Sequence, residues 1–139
     1  MRKIIFATAL IFALSAVAFA EYSTQELVDM TLNSLHYDKG GNVAYAKGYG
    51  IISGDKPVDV ALARRAALTD AQRGLLILRR SIKEGKPPRS DSVSGYVPPV
   101  NILSENIDNG LYSVEISAVL SDLIKGSKKG KAVGTYIAR

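Results

Sequence analysis

Hydrophobic positions recur with helical spacing over residues 57–85, the longest amphipathic stretch of the chain. At about 100° per residue, the apolar and small residues of this stretch fall into one stripe. The stripe consists of Val60, Ala67, Leu68, Ala71, Gly74, Leu75, Leu78 and Ile82. Pro57 fits the first turn of a helix, and Gly85 followed by Pro87 and Pro88 favours a stop. We predict a helix of about seven turns, with a small-residue middle that lets a sheet approach closely.

Several side chains of this helix do not fit a single apolar face. Arg64 shares the direction of Ile82 on the helical wheel. Either its aliphatic stem follows the apolar surface while its charge reaches water, which we favour near the helix start, or its guanidinium is paired. Leu62, Leu76 and Ile77 lie off the stripe. They indicate a second apolar contact, with the N-terminal helix or with another subunit.

Residues 43–52 alternate between large and small side chains, and a period of two predicts a strand. The small face consists of Ala44, Ala46, Gly48 and Gly50. We expect this face to lie against the small-residue middle of the long helix, with Tyr45 and Tyr49 on the other face. A phosphate-binding loop at residues 48–50 is the alternative, but neither of the usual glycine motifs is present.

Two more strand-like segments follow the helix. Residues 93–103 form the first, and Pro98 and Pro99 within it favour a bulge or an edge position. Residues 111–120 form the second, directly after the turn sequence of residues 108–110. We predict that the two segments pair as an antiparallel hairpin. The face of the second segment that we expect to be buried consists of Tyr112, Val114, Ile116, Ala118 and Leu120.

The two ends of the domain add shorter elements. Ser23 and Glu26 have capping-box spacing, so we predict a short helix from Thr24. We interpret the lone His36 as a cation favoured by the C-terminal end of this helix. A last strand is predicted at residues 132–138, beside residues 111–120. The fold class is therefore α+β: an antiparallel sheet of three to four strands packed against one long α-helix, with a short N-terminal helix.

Residues 1–20 have the pattern of a signal peptide. Arg2 and Lys3 precede an apolar run, and small residues at positions 18 and 20 mark a cleavage site. An uncleaved membrane anchor is the alternative; we favour cleavage because the run is shorter than the roughly 20 residues that span a bilayer. We expect a periplasmic or secreted protein whose residues 21–139 form a single domain.

Composition narrows the classes of partner. The chain has 18 basic and 13 acidic residues, and without the two basic residues of the leader its formal charge is +3. This balance favours an acidic partner only weakly, and we expect no nucleic-acid partner. The absence of cysteine excludes a disulfide framework, and with a single histidine we expect neither a metal nor another cofactor. We interpret Lys125, Lys128 and Lys129 as part of a solvated loop, with weak contact to an anionic surface as the alternative.

Asp70 and Arg73 lie three residues apart on one flank of the long helix, a spacing that supports an ion pair. One interpretation is a surface pair of little energetic value. The other is that the pair ties the helix to a sheet edge or a loop. Both residues belong to an Ala-x-x-x-Ala-x-x-Asp-Ala-x-Arg motif. Its named positions are Ala63, Ala67, Asp70, Ala71 and Arg73.

This motif is flanked by the strand sequences AKGYG on one side and VSGYV and GLYSVEISAVL on the other. The arrangement resembles the Lpp-twenty family of small bacterial envelope lipoproteins and the N-terminal domain of flagellar assembly protein T. The resemblance covers residues 43–120. It implies a surface or periplasmic module without catalysis, involved in envelope structure, adhesion or motility organelles. The chain departs from the lipoproteins because it lacks the lipid-accepting cysteine.

Two hypotheses about function follow. The first is a non-enzymatic interaction protein that binds other envelope proteins or further copies of itself, because no nucleophile–base or ligand set is apparent. The second is a small-ligand or glycan-binding module with Tyr45, Tyr49, Tyr96 and Tyr112 on an open sheet face. A continuous aromatic strip would favour the second hypothesis. The candidate interaction residues are Arg64, Tyr45, Tyr49, Lys125, Lys128 and Lys129.

Overall fold

The computed structural model describes residues 22–126 and 132–136. The predicted leader at residues 1–20, together with Lys128 and Lys129, lies outside the described residues. In chain order the elements are α1 Thr24–Ser34, β1 His36–Asp38, β2 Val43–Ile51, α2 Pro57–Glu84, β3 Val93–Tyr96, β4 Asn101–Asp108, β5 Leu111–Val119, α3 Leu120–Lys125 and β6 Ala132–Tyr136. None of the described helices is both long enough and apolar enough to cross a membrane.

The strands of the described residues form two antiparallel sheets. The main sheet has the strand order β1-β2-β5-β4, and β3 pairs with β6 in a second, two-stranded sheet. The long helix α2 packs over β2 and β5 of the main sheet. The predicted α+β class, with a four-stranded antiparallel sheet and one long helix, is confirmed.

The first helix begins as the capping residues predict. Ser23 Oγ accepts a hydrogen bond from the Glu26 amide at 3.1 Å, and Glu26 Oε2 accepts one from the Ser23 amide at 3.3 Å. His36 lies two residues beyond the end of this helix and is the first residue of β1. Its ring stacks on Tyr45 with centroids 4.5 Å apart, and its Nδ1 donates to the Ser34 carbonyl at 2.9 Å. This short strand was not predicted from the sequence.

The long helix has the predicted ends. It runs from Pro57 to Glu84, and Gly85 caps it in the left-handed conformation with φ of 64°. Its small residues meet those of β2, as predicted. A Cβ atom at Gly48 would overlap the carbonyl oxygen of Ala67 and the amide nitrogen of Ala71. The backbones of α2 and β2 therefore touch, and no side chain fits between them.

Burial on α2 is wider than the predicted stripe. Three stripe residues lie only at the margin of the core: Val60, Leu68 and Ile82. Leu76 and Ile77, which lie off the stripe, are buried, whereas Leu62 is exposed. Leu76 lies on the side of α2 opposite Ala67, and β3 covers it, since a Cβ at Gly95 would lie 3.6 Å from Leu76 Cδ2. The second apolar contact at Leu76 is therefore with β3, and neither expected partner supplies it.

The predicted hairpin forms with different bounds. Residues 93–103 are not one strand, because Pro98 and Pro99 divide them into β3 and β4, which belong to different sheets. A proline has no N–H for a ladder, so pairing restarts only after the second one. The turn of residues 109–110 joins β4 to β5, and both of its residues have positive φ. The pairing of β4 is irregular between residues 102 and 104, and β4 is an edge strand, as predicted.

The last strand pairs with a different partner from the one predicted. β6 lies beside β3, because β2 and β4 already occupy both edges of β5. Leu120 is buried but begins α3 instead of ending the strand. The rest of the predicted buried face of β5 is confirmed. It consists of Tyr112, Val114, Ile116 and Ala118.

Candidate functional site

Asp70 joins three elements of the fold. Its Oδ2 accepts a hydrogen bond from Thr31 Oγ1 of α1 at 2.6 Å and another from the Tyr49 amide of β2 at 3.1 Å. Its Oδ1 lies 3.3 Å from Arg73 Nη2, and the two side chains are 20% and 8% exposed. The motif pair therefore ties α2 to α1 and to the edge of β2, as the second interpretation of the motif proposed. It is not a surface pair.

Burial raises the pKa of Asp70 above its ordinary value. The hydrogen bond from Thr31, the charge of Arg73 and the Tyr49 amide each act in the opposite direction, but burial is the largest effect. Burial also raises the pKa of the Tyr49 phenol, with smaller contributions from the charges of Asp70 and Glu115. All three partners of Asp70 are donors, so the geometry suits a carboxylate that fixes structure.

Ser34, like Asp70, binds a backbone amide at the edge of β2. β1 pairs with β2 only at residues 43–45, so among the described residues the rest of that edge has no neighbouring strand. Ser34 Oγ accepts from the Lys47 amide at 2.9 Å and donates to the Thr31 carbonyl at 2.6 Å. We call the amides of Lys47 and Tyr49, with these side-chain partners, the closed edge. The roles of Ser34 and Thr31 were not predicted from the sequence.

Arg64 lies on the opposite flank of α2, and its charge is paired. Its Nε is 2.6 Å from Glu105 Oε1 on β4, and the Tyr112 hydroxyl donates to the same oxygen at 2.7 Å. The favoured interpretation, an unpaired charge above an apolar stem, is wrong because a carboxylate on β4 lies within reach. The hydrogen bond from Tyr112, followed by that from Arg64, lowers the pKa of Glu105. Both side chains remain substantially exposed.

The four tyrosines do not share a face. Tyr45 and Tyr49 are half-buried on the outer face of β2, away from α2. Tyr112 is buried on the inner face, opposite Gly50, and Tyr96 lies on the second sheet. The continuous aromatic strip that would favour the ligand-binding hypothesis is therefore not formed by these four tyrosines. A recess of about 380 Å³ does lie beside Tyr49. Its lining residues include His36, Lys47, Tyr49 and Glu115.

β4 forms the opposite edge of the main sheet. All eight residues of β4 are exposed, including Ile102 at 43% and Ile107 at 54%. The two-residue turn and the strand register place the backbone groups of Glu105 and Ile107 on the side away from β5. Within the described residues no strand pairs with that side. We call this side of β4 the open edge.

The remaining candidate chemistry is sparse. Lys125 is exposed, as predicted, but it is the last residue of α3 and does not belong to a loop. In the described part of the chain, no three histidine or acidic side chains lie close enough together to hold a metal ion. Comparison of the sequence with protein-family models and with curated proteins gives no match. The resemblance to envelope lipoproteins and to the flagellar assembly domain therefore stays a prediction.

Proposed function

We propose that this chain is a non-enzymatic, exported module of the bacterial envelope that binds other envelope proteins through the open edge of β4. The observation that carries the proposal is an eight-residue edge strand whose residues are all exposed. Unpaired N–H and C=O groups on such an edge bind an extended segment of another chain. The predicted leader, rather than the described residues, carries the export part of the proposal.

The chemistry of the edge defines the partner. An added strand would bond to the backbone of Glu105 and Ile107, and its alternate apolar side chains would cover Ile102 and Ile107. The Arg64–Glu105 pair next to these isoleucines would fix the register without requiring a buried charge. The partner is thus an extended, alternately apolar segment of an envelope protein, and a second copy of this chain is one specific case.

Site-specific cross-linking in intact cells tests this proposal. A photoreactive amino acid at Ile107 should give a discrete adduct, whereas the same group at Thr69, exposed on α2, should not. A self-adduct would identify the partner as a second copy. Absence of an adduct at Ile107, or the same adducts from Thr69, would contradict binding at the open edge. Cell fractionation of the same samples should place the protein outside the cytoplasm.

The recess beside Tyr49 favours the alternative function, binding of a small ligand or glycan. It combines an aromatic ring with the charged groups of Lys47 and Glu115, which are 3.9 Å apart. Titration with N-acetylglucosamine oligomers should shift the amide resonances of Lys47 and Tyr49, and Lys47→Ala should weaken the effect. Unchanged resonances throughout the titration would exclude this ligand class.

A further inference from the structure

A cleft of about 320 Å³ lies between the C-terminal half of α2 and β3. Leu76, Arg79, Arg80 and Lys83 line its α2 wall, and Ser92 and Ser94 lie on the other wall. The four helical positions are spaced i, i+3, i+4 and i+7, so they share one side of α2. The cleft is separate from the closed edge, the open edge and the recess beside Tyr49.

Two of the cations in this cleft have no counter-ion among the described residues. Arg80 is engaged, because its Nη2 donates to the Arg89 carbonyl at 2.6 Å and its Nη1 is 3.8 Å from Asp91. The one acid in the lining, Glu84, lies 3.7 Å from Arg89. Arg79 and Lys83 form no ion pair within the described residues. Because they are four residues apart on one helix, their charges repel.

The fold also shields part of the Arg79 side chain, which is half-buried, from water. Its Nε is buried and has no hydrogen-bond partner in the described part of the chain. Its Nη1 lies 3.0 Å from where a Cβ of Gly95 would be, so a side chain on β3 would compete with the guanidinium for this space. The backbone of Gly95 has φ of 146°, a conformation that favours glycine. A buried guanidinium nitrogen without a partner is costly, and an anion bound beside the guanidinium would offset this cost.

We infer that this cleft binds a phosphate monoester. The guanidinium of Arg79 matches the geometry of phosphate oxygens, Lys83 adds a second positive charge, and the hydroxyls of Ser92 and Ser94 supply hydrogen bonds. The cleft is larger than one inorganic anion, and Leu76 forms an apolar part of its wall. The phosphate is therefore carried by an organic group, in a small molecule or a lipid headgroup. This inference does not depend on the function proposed above.

Equilibrium binding to the purified protein tests the inference. The soluble probes are glucose 6-phosphate and inorganic phosphate, with glucose as the uncharged control; phosphatidylcholine vesicles with and without phosphatidic acid represent the lipid source. Saturable binding of a phosphate monoester should weaken roughly tenfold in Arg79→Gln and in Lys83→Gln. Arg65→Gln removes the same charge from an exposed position outside the cleft and should leave binding unchanged. Lys83 is exposed, so its variant keeps the test valid if Arg79→Gln fails to fold.

The source of the ligand follows from which probe binds. Binding of glucose 6-phosphate indicates a small molecule, and binding only of phosphatidic acid vesicles indicates a lipid headgroup; both support the inference if the cleft variants weaken them. The inference is overturned if no monoester binds saturably. It is also overturned if Arg65→Gln weakens binding as much as Lys83→Gln, because binding would then reflect only overall positive charge.

Discussion

The two sides of the main sheet differ in whether their outward backbone groups have hydrogen-bond partners. On the β2 side the neighbouring strand is short, and Ser34 and Asp70 bind two of the amides that it leaves unpaired, those of Lys47 and Tyr49. On the other side of the sheet, the eight exposed residues of β4 pair with β5 but have no neighbouring strand on their outer side within the described part of the chain. Edge strands invite pairing with other chains, so proteins usually blunt them. Closing one edge with side chains while leaving the other open limits where a partner strand can add.

The two acidic side chains near these edges show the same contrast. Asp70 and Glu105 each face an arginine of α2 on opposite flanks of that helix. Asp70 is mostly buried and its three partners are all donors, whereas Glu105 lies at the exposed edge. An ion pair in solvent contributes little to stability, but a buried charge that loses its partner is costly. Residues around Asp70 should therefore determine stability, and residues around Glu105 should determine binding.

The largest effect is expected from Gly48→Ala. The new methyl group would overlap backbone atoms of Ala67 and Ala71, so α2 would move away from β2 and draw Asp70 from the Tyr49 amide. We expect a loss of at least about 3 kcal/mol in the free energy of unfolding, measured by urea denaturation. Gly40→Ala, in an exposed turn, should change it by less than about 0.5 kcal/mol.

Asp70→Ala should be next in size. It leaves the Thr31 hydroxyl, the Tyr49 amide and the Arg73 guanidinium without their acceptor, which should cost about 3 kcal/mol. The matched control is Glu105→Ala on the other flank, whose urea midpoint should stay near that of the unmodified protein. Equal midpoints for the two variants would contradict the contrast between the edges.

A smaller effect is expected in the pH dependence of stability, to which Asp70 and Glu105 should contribute with opposite signs. Because folding raises the pKa of Asp70, its contribution to stability is complete below the ordinary carboxyl pKa and declines as pH rises through the raised value. Folding lowers the pKa of Glu105, so its contribution is complete above the ordinary value and is lost as pH falls through the lowered one.

Urea midpoints measured across the acidic range should reveal these opposite signs. Relative to Asp70→Asn, the unmodified protein should become less stable as pH rises. Relative to Glu105→Gln, the unmodified protein should become more stable as pH rises through the lowered pKa of Glu105. Differences that change in the same direction for both variants would show that the assignment of burial and exposure to the two flanks is wrong.

Local patterns in the sequence predicted the long helix and its contact with β2, because small residues alternate in β2 and recur on α2 within short windows. The capping box of α1 is equally local. The partner of β6 depends on which edges of β5 are free, and a short window contains no such information. The spacing of Asp70 and Arg73 predicted a pair, but Thr31 and Tyr49 come from 39 and 21 positions away. The repeat of Leu76, Arg79, Arg80 and Lys83 was visible in the sequence, yet only β3 makes it a cleft.

Amide hydrogen exchange of Tyr49 and Ile107 tests the contrast between the edges most directly. Both amides point away from β5, so neither is bonded to that central strand. The Tyr49 amide, held by Asp70, should exchange at least roughly a hundredfold more slowly than the Ile107 amide in dilute purified protein. Comparable protection at the two positions would show that the edges are equivalent, and the proposed role of β4 would then lose its basis.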